Sequence, residues 1–427
     1  MASFFIPLTG LQSDSTALNT IANDLANMNT TAFKSQTTNF SDLFYQQMGT
    51  TGTGDPIQVG AGVKVASNAT DFTQGSYNTS GMSASDMAIN GNGFFIANDG
   101  STNLYTRNGS FQQDTNGNLV TSNGLSVMGY PAPNGVVNTN APLAPINIPL
   151  VGQVQQPTAT TSFNMNANLD SAATSSFPAT APVFDSLGGS HNVTITFTQT
   201  GANTWTYSAA LPATDFANGV STPLTGTLNF DAQGNLTSVI PPGGAPPAEP
   251  VGAKAPAVSS IPLDFANPLA DGANELNLQW NLLGSAGTPS ISQTDQASAM
   301  SGVTANGNAA GTCTGFTIGS DGTVTAQYTS GNATVGQVAL ANMTNLQGLQ
   351  LLGNGDYATT LASGTATVGV SGSGGMGTIQ DSALEESNVN ISSEFSDLIV
   401  AQRAFEANAK SVTTFDTVTQ DTINMVH

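Results

Sequence analysis

Residues 391–415 read ISSEFSDLIVAQRAFEANAKSVTTF, and the spacing of their large apolar side chains predicts a long helix. These side chains recur at intervals of three, four and seven residues, which places them on one helical face. The stripe consists of Ile391, Phe395, Leu398, Phe405, Val412 and Phe415. Ser392 fits a capping position, and Glu394 would oppose the dipole in the first turn. We therefore predict a helix from about Ser392 to Asn424.

The other end of the chain carries a second apolar stripe, within residues 8–28. Its members recur at the same spacings, which predicts a second amphipathic helix. They are Leu8, Leu11, Leu18, Ile21, Leu25 and Met28. This helix is predicted to end in the polar stretch LANMNTTAFKS (25–35), whose Asn and Thr side chains can satisfy open carbonyl groups.

The long middle of the chain has the pattern of β-structure. VTITFTQTGANTWTYSA (193–209) alternates apolar and polar residues on both sides of a Gly-Ala-Asn turn, which predicts a hairpin. Residues 114–120, 231–237 and 320–331 place Asp and Gly before strand-like residues. We interpret them as turns rather than calcium loops, because none continues to a distal Glu ligand. The predicted fold class is α+β, mainly β.

Proline and glycine mark the predicted boundaries. PPGGAPPAEPVGAKAP (241–256) is predicted to be an exposed connector or loop tip. A boundary at 145–157, with a return at 288–296, predicts one sandwich-like or barrel-like β-domain inserted into another. The two terminal helices can pair like a coiled coil, pack on the β-domain or cover their stripes against other copies. Because an isolated helical pair buries little surface, the pattern favours self-assembly.

Composition excludes several classes of protein. Among 427 residues, 6 Lys and Arg oppose 27 Asp and Glu, giving a net charge of −21 that would repel nucleic acids and anionic lipids. The basic residues form no cluster in the sequence. A single cysteine, Cys313, excludes an intrachain disulfide and a cysteine-based metal site. The N-terminus lacks the pattern of a cleaved signal peptide, and no apolar run has the length of a membrane span.

Candidate catalytic, cofactor and metal-binding residues are few. The chain has two histidines, and His191, after Gly188-Gly189-Ser190, is interpreted as a turn residue. Glu385 and Glu386 precede the predicted C-terminal helix, where dipole compensation is a simpler explanation than acid–base chemistry. No dinucleotide fingerprint, phosphate loop or zinc motif is present. We therefore predict no catalytic site, no cofactor and no metal site.

Three stretches resemble the bacterial flagellar rod and hook proteins. DMAINGNGFFIAND (86–99) with YTRNGSFQQDTNGNLVTSNGLSVMGY (105–130) resembles one shared motif, and residues 383–416 resemble the C-terminal motif. LANMNTTAFKS resembles the N-terminal motif. The inserted segment PVFDSLGGSHNVTITFTQTGANTW (182–205) is similar to the outer domain of the family's hook members rather than to its rod members.

The resemblance implies an extracellular homopolymer that acts as a flexible universal joint and encloses an export channel. It implies export without a cleaved signal peptide by the flagellar type III apparatus, and contacts with a hook cap, the distal rod and hook–filament junction proteins. It also implies an inner helical domain (1–33 with 384–427), a connector (34–69), a middle β-domain (70–145 with 296–375) and an outer β-domain (146–295). The helix stripes, from Leu11 to Met28 and from Ile391 to Phe415, would then form the self-assembly surface.

Two glycine-rich stretches are predicted to be hinges, namely 48–62 with Gly52 and Gly54, and 371–377 with Gly372 and Gly374. Two other functions stay open on the sequence. A distal-rod protein of the same family would share the terminal motifs but form a rigid shaft. A secreted β-rich adhesin or carbohydrate-binding module would explain the middle of the chain but leaves both stripes without a role.

The chain departs from the family pattern at two positions. Ala32 stands where the family commonly has Gly, and Asn390 stands where it commonly has Asp. A left-handed backbone would strain an alanine by about 1 kcal/mol. We therefore predict an ordinary backbone angle at Ala32.

Overall fold

The computed structural model describes residues 4–244, 259–284 and 288–425. Most of the predicted connector at 241–256 lies outside these residues. Two long helices, α1 (Phe5–Ala26) and α2 (Ile391–Met425), confirm the terminal helices. α1 begins three residues before the predicted start, because Pro7 falls in the first turn, where a missing N–H leaves no helical bond unmade. Short 3₁₀ helices occur at Pro133–Gly135, Ala213–Asp215 and Leu346–Gly348.

Strands make up most of the remainder. In the first part of the chain they are β1 (Gln36–Asp42), β2 (Tyr45–Thr50), β3 (Pro56–Gly60), β4 (Val63–Thr70), β5 (Tyr77–Asn78), β6 (Met87–Asn90), β7 (Phe94–Asn98), β8 (Asn103–Thr106), β9 (Phe111–Gln113), β10 (Leu119–Thr121), β11 (Ser126–Pro131), β12 (Ala144–Pro145) and β13 (Val154–Gln155). The central strands are β14 (Ser162–Asp170), β15 (Phe177–Phe184), β16 (Ser190–Gly201), β17 (Thr204–Ala210), β18 (Leu224–Phe230), β19 (Leu236–Ile240), β20 (Ser260–Phe265), β21 (Leu276–Asn281), β22 (Ile291–Thr294) and β23 (Ala299–Ala305). The last strands are β24 (Gly311–Ile318), β25 (Thr323–Tyr328), β26 (Gly331–Asn342), β27 (Gln350–Gly353), β28 (Asp356–Ala358), β29 (Thr367–Val370), β30 (Thr378–Asp381) and β31 (Leu384–Glu385).

The chain divides into two compact units. The first, the terminal unit, comprises residues 1–150, 316–326 and 334–427, and the second, the inserted unit, comprises 151–315 and 327–333. The inserted unit extends past the predicted end at 295, because β23 pairs antiparallel with β14 and therefore belongs to the same sheet. The division of the terminal unit into helical, connector and middle domains stays a prediction.

The terminal unit is built on an antiparallel sheet with the strand order β26-β11-β7-β8-β28-β27. Alternate side chains of β7 enter different clusters, because successive side chains of a strand point to opposite faces. Phe95 packs with Met87, Phe111 and Leu340, whereas Phe94 and Ile96 pack in a second cluster with Tyr105 and Tyr357. Both faces of the central strand are therefore buried.

The inserted unit is a β-sandwich. One sheet has the order β20-β21-β14-β22, with β23 added on β14, and the other has the order β15-β16-β17-β18-β19. The predicted hairpin at 193–209 is present as β16 and β17. Tyr207 of one sheet lies edge-on to Trp280 of the other, with ring centroids 5.5 Å apart. This apolar core occupies the space between the sheets.

Residues 36–70 form one long hairpin that consists of two nested strand pairs. β1 pairs with β4, and β2 pairs with β3 farther along the same arm. The base of the arm is attached to α1, since Thr38 Oγ1 donates to Thr20 Oγ1 at 3.0 Å and the Gln36 amide donates to Asp24 Oδ2 at 2.8 Å. We call residues 36–70 the hairpin arm.

The predicted hinge glycines do not lie between the helices and the β-structure. Gly52 and Gly54 lie in the turn at the tip of the hairpin arm, where the Thr51 amide donates to the Asp55 carbonyl at 2.8 Å. Gly372 and Gly374 lie in the turn between β29 and β30, before the chain has reached α2. The strands that enter and leave each turn belong to the terminal unit, so the structure does not favour a hinge at either place.

Candidate self-assembly surface

The two helices pack against each other through small and polar residues. Asn408 Nδ2 donates to Asp14 Oδ2 at 2.8 Å, and Asn408 lies so close to Gly10 that a Cβ there would be 2.7 Å from its amide nitrogen. Asp24, at the other end of α1, interacts electrostatically with Glu394, so the helices are antiparallel. The fully buried residues of α1 are likewise small or polar: Pro7, Gly10, Ser13, Ala17, Thr20 and Asp24.

The predicted stripes are therefore covered only in part within the single chain. On α1, Leu11, Leu18, Ile21 and Leu25 are only half-buried, and Met28 is exposed. On α2, no described residue is fully buried. Phe395 and Phe405 remain 53% and 37% exposed, Ile391 is also exposed, and Leu398, Val412 and Phe415 are half-buried. Both stripes leave apolar surface uncovered in the single chain.

The hairpin arm extends this apolar surface. Phe44 at the bend of the arm is 77% exposed, and several other large side chains of the arm are also exposed to solvent. They are Phe40, Tyr45, Met48, Ile57 and Val59. Phe40 also lines a groove of about 350 Å³ with Ile21 of α1 and Val400 of α2. Several large exposed apolar side chains on one arm are typical of a site of protein contact. We call these side chains and the two helix stripes the assembly surface.

A buried ion cluster fixes the ends of both helices to the β-structure. Lys34, after α1, donates to Glu385 Oε1 at 2.6 Å, and Arg107 Nε donates to Glu385 Oε2 at 3.0 Å. The side chains of Lys34 and Glu385 are completely buried, and that of Arg107 is 5% exposed. We call these three residues the root cluster. Two of the isolated basic residues of the sequence therefore meet in space.

Lys34 and Arg107 of the root cluster also donate to backbone carbonyls. Lys34 Nζ donates to the Thr73 carbonyl at 2.6 Å, and Arg107 Nη1 donates to the carbonyls of Gly91 and Gly93 at 2.8 Å. Burial lowers the pKa of Lys34, and the adjacent Glu385 carboxylate opposes this shift. A buried charge is tolerated when its partners and hydrogen bonds are complete, so the cluster specifies one arrangement of these segments.

The interpretation of Glu385 as a helix-dipole residue was wrong. Glu385 ends β31, six residues before α2 begins, and its carboxylate faces Lys34 and Arg107. The cap of α2 is Asn390 rather than the predicted Ser392, since Asn390 Oδ1 accepts from the amides of Ser392 at 3.0 Å and Ser393 at 3.2 Å. The Asp that the family commonly has at this position would accept the same bonds.

The prediction of an ordinary backbone at Ala32 was also wrong. Ala32 has φ of 55°, in the left-handed region, and is 3% exposed. Its amide donates to the Glu385 carbonyl at 2.8 Å, and Asn388 Oδ1 accepts from the amide of Ser35 at 2.8 Å. These bonds hold the segment after α1 against the segment before α2. They therefore outweigh a strain of about 1–2 kcal/mol.

Asp24 is a buried carboxylate with one unused oxygen. Oδ2 accepts from the Gln36 amide, but no described residue donates to Oδ1. Burial raises the pKa of Asp24, although the Gln36 amide opposes the shift. Burial also raises the pKa of Glu394, as do the nearby charges of Asp24 and Asp397. Because these pKa values are raised by folding, the contact is strongest when the carboxyls are protonated and weakens as pH rises through the folded pKa values.

Changing Asp24 to Asn is expected to stabilise the contact of α1 with the hairpin arm at pH 7. The amide oxygen keeps the bond from Gln36, and the negative charge is removed. We expect a gain of about 1 kcal/mol, or ~2–4 °C in Tm of the helical circular dichroism signal. The difference from the wild type should shrink as pH is lowered toward the raised pKa of Asp24. A variant that melts below the wild type at pH 7 would contradict this explanation.

His191 is not a simple turn residue. It lies in β16, mostly buried, and its two ring nitrogens are each 2.9 Å from a carboxylate oxygen, one of Asp185 and one of Asp215. This cluster belongs to the inserted unit and is separate from the assembly surface. Within the part of the chain that the structure describes, no helix is long and apolar enough to cross a membrane.

Comparison with known protein families gives three matches along the chain. Residues 88–168 match the flagellar hook protein FlgE/F/G D1 domain, and residues 153–308 match the flagellar basal body protein FlaE D2 domain. Residues 380–425, which include α2, match the flagellar basal body rod FlgEFG protein C-terminal family. The second match covers most of the inserted unit, and the third includes Glu385 and the stripe of α2.

Relatives and one solved structure extend these matches. The chain is 32% identical to the flagellar hook protein FlgE of Escherichia coli K12 over 99% of this chain and 100% of that protein. It is 33% identical to that of Salmonella typhimurium LT2 over 99% and 100%, and 31% identical to that of Treponema pallidum over 100% and 99%. The crystal structure of Helicobacter pylori flagellar hook protein FlgE2 aligns with a TM-score of 0.44 at 13% identity, covering 72% of this chain and 99% of that one. On the near-complete sequence matches, the chain belongs to the family of flagellar hook proteins FlgE.

Proposed function

We infer that the chain is a structural subunit of the flagellar hook and that the assembly surface packs against other copies of the same chain. The observation that carries this inference is the uncovered apolar face of α2, on which Phe395 and Phe405 stay exposed although the helix is held firmly at its root. Membership of the hook protein family supports a polymer, and the exposed apolar side chains indicate which surface forms the contact between subunits. Contacts between different surfaces of successive copies generate an open helical polymer when the rotation between copies does not close into a ring.

We propose that bending of this polymer occurs between subunits rather than at glycine hinges inside them. The root cluster ties Lys34 and Glu385 to the β-structure, and the hairpin arm is bonded to α1. Each terminal unit is therefore stiff. Only 8% of the residues are charged, so contacts between outer surfaces are formed mostly by uncharged polar groups, which exchange hydrogen bonds with water at little net cost. Such contacts permit neighbours to slide while torque is transmitted.

The proposal includes the partners and location that the family pattern implies. We propose an extracellular position in the hook, export by the flagellar type III apparatus without a cleaved signal peptide, and contacts with the hook cap, the distal rod and the hook–filament junction proteins. We propose no catalytic role, since the family is structural and the root cluster is enclosed by protein.

Electron microscopy of the concentrated purified protein tests the proposed function. We expect tubes that curve, because subunits that slide past one another permit bending. Straight shafts under the same conditions would support a distal-rod protein instead. Monomers that do not polymerise at any concentration, but bind a glycan or a cell surface, would support the adhesin or carbohydrate-binding function. A swimming assay in a strain that lacks its own hook protein then tests the function in the cell.

A further inference from the structure

The inserted unit contains a group of acidic side chains around its one histidine. Asp185 lies in the turn between β15 and β16, Asp215 ends a 3₁₀ helix, and Asp271 lies in the segment between β20 and β21. His191 Nε2 is 2.9 Å from Asp185 Oδ2 and 3.9 Å from Asp271 Oδ2. Three segments that are distant in sequence therefore converge on one imidazole.

The arrangement of the imidazole resembles that of a metal ligand. His191 Nδ1 lies 2.9 Å from Asp215 Oδ2, within hydrogen-bond distance. In the neutral tautomer with its N–H on Nδ1, the imidazole donates to Asp215, and Nε2 presents its lone pair to Asp185 and Asp271. The facing atoms are then an imidazole lone pair and two carboxylate oxygens, all of which are acceptors. Three acceptors this close repel one another unless a proton or a cation lies between them.

The protein backbone prepares Asp185 for this role. Its Oδ1 accepts from the amides of Leu187 at 2.7 Å and Gly189 at 2.9 Å, which leaves Oδ2 directed at His191. Gly189 approaches so closely that a Cβ would lie 2.4 Å from Asp185 Oδ2.

Charge and access both favour a cation. The described residues of the inserted unit contain no Lys or Arg, so His191 is the one basic side chain available there to three carboxylates. The Asp271 side chain is 39% exposed, which gives an entry path from solvent, whereas Asp185 is completely buried.

We propose that Asp185, His191 and Asp271 bind a divalent first-row transition cation such as Zn²⁺, with Asp215 as the positioning residue of the imidazole. One nitrogen and two oxygens suit such a cation, and water completes the coordination. Ligand bonds of about 2.0–2.2 Å place tetrahedral ligand atoms ~3.3–3.6 Å apart, and the two distances from Nε2 bracket this range. The cation replaces the proton between Nε2 and Asp185. It links the three segments at one end of the sandwich.

Titration of the full-length monomer with ZnCl₂ by isothermal calorimetry tests the site. We expect one saturable site per chain. Changing Asp271 to Asn or His191 to Asn should weaken binding by at least ~10-fold, since each change removes a ligand. The matched control is Asp264→Asn, which removes an exposed carboxylate from β20 in the same unit and should leave the affinity unchanged. Fluorescence of the buried Trp205 and Trp280 verifies that each variant is folded.

The positioning role of Asp215 has a separate readout. Asp215→Asn should weaken Zn²⁺ binding by about 10–100-fold, and it should also change the tautomer of His191 seen in the imidazole ¹⁵N spectrum. Because the chain has only two histidines, His427 serves as an internal reference in that spectrum.

Two results would overturn the proposal. One is a calorimetric titration that shows no saturable binding at millimolar ZnCl₂, together with an imidazole ¹⁵N spectrum in which the His191 signal is unchanged by Zn²⁺. The other is equal affinity of the wild type, Asp271→Asn and His191→Asn, which would assign the bound metal to another place such as His427. Neither result concerns polymerisation, which is measured separately. A failure of the metal site is therefore distinguishable from a failure of the proposed function.

Discussion

Changing Phe395 and Phe405 together to Ala is expected to prevent polymerisation while the monomer stays folded. Both side chains are largely exposed in the single chain, and Ala is the strongest helix former, so α2 should persist. Burial of a phenylalanine side chain contributes about 1.5–3 kcal/mol, so the double variant should lose ~3–6 kcal/mol per subunit on assembly. Each 1.4 kcal/mol changes an equilibrium constant tenfold. The loss should therefore raise the protein concentration needed for assembly by a factor of about 10²–10⁴.

Sedimentation of polymer from soluble protein measures this concentration directly. The matched control is Val220→Ala, which removes an exposed apolar side chain from the inserted unit and should sediment like the wild type. Far-ultraviolet circular dichroism of both monomers should show equal helix content. Polymerisation of the double variant at the wild-type concentration would exclude this face of α2 from the subunit contact, and the exposed side chains of the hairpin arm would then be the next candidates.

Changing Glu385 to Gln is expected to cause the largest loss of stability in the monomer. The change leaves Lys34 and Arg107 buried without their shared negative charge, a situation that costs about 3–5 kcal/mol. For a unit of this size that corresponds to a fall of ~6–20 °C in Tm. Glu386→Gln is the matched control, because the neighbouring Glu386 is exposed and should tolerate the change.

The two units provide separate signals for this measurement. Both tryptophans, Trp205 and Trp280, lie in the inserted unit, so their fluorescence reports its unfolding. Helical circular dichroism reports α1 and α2 in the terminal unit. Glu385→Gln should lower the midpoint of the helical signal and leave the tryptophan signal unchanged. An equal shift in both signals, or none in either, would contradict a local role for the root cluster.

Apolar periodicity predicted both terminal helices and, with turn residues, the β-rich middle. It did not predict how the helices meet, because their contact uses Gly10, Asn408 and other small or polar residues that give no periodic apolar signal. The stripes also mark apolar surface that the single chain leaves partly uncovered. Periodicity detects a face that avoids water, and it does not distinguish whether the partner belongs to the same molecule.

The polar clusters were missed for a related reason. Lys34 and Glu385 are 351 residues apart in the sequence, with Arg107 between them, and only the fold brings the three together. One signal was present: in a chain with six Lys and Arg, a lysine directly after Phe33 in a family motif is unusual for a merely solvating charge. The cluster around His191 was also missed, because its acidic neighbours come from three separate segments. The hinge stays a prediction, because glycine-rich turns and flexible links have the same composition.

The bond between Lys34 and Glu385 joins positions 351 residues apart. The root cluster therefore cannot form until the chain as far as Glu385 is available, and contacts of such long range slow folding. A truncated chain would leave a lysine and an arginine in an apolar interior without an acidic partner. The root cluster thus couples the two ends of the terminal unit, because the segment after α1 and the segment before α2 share one set of ionic bonds.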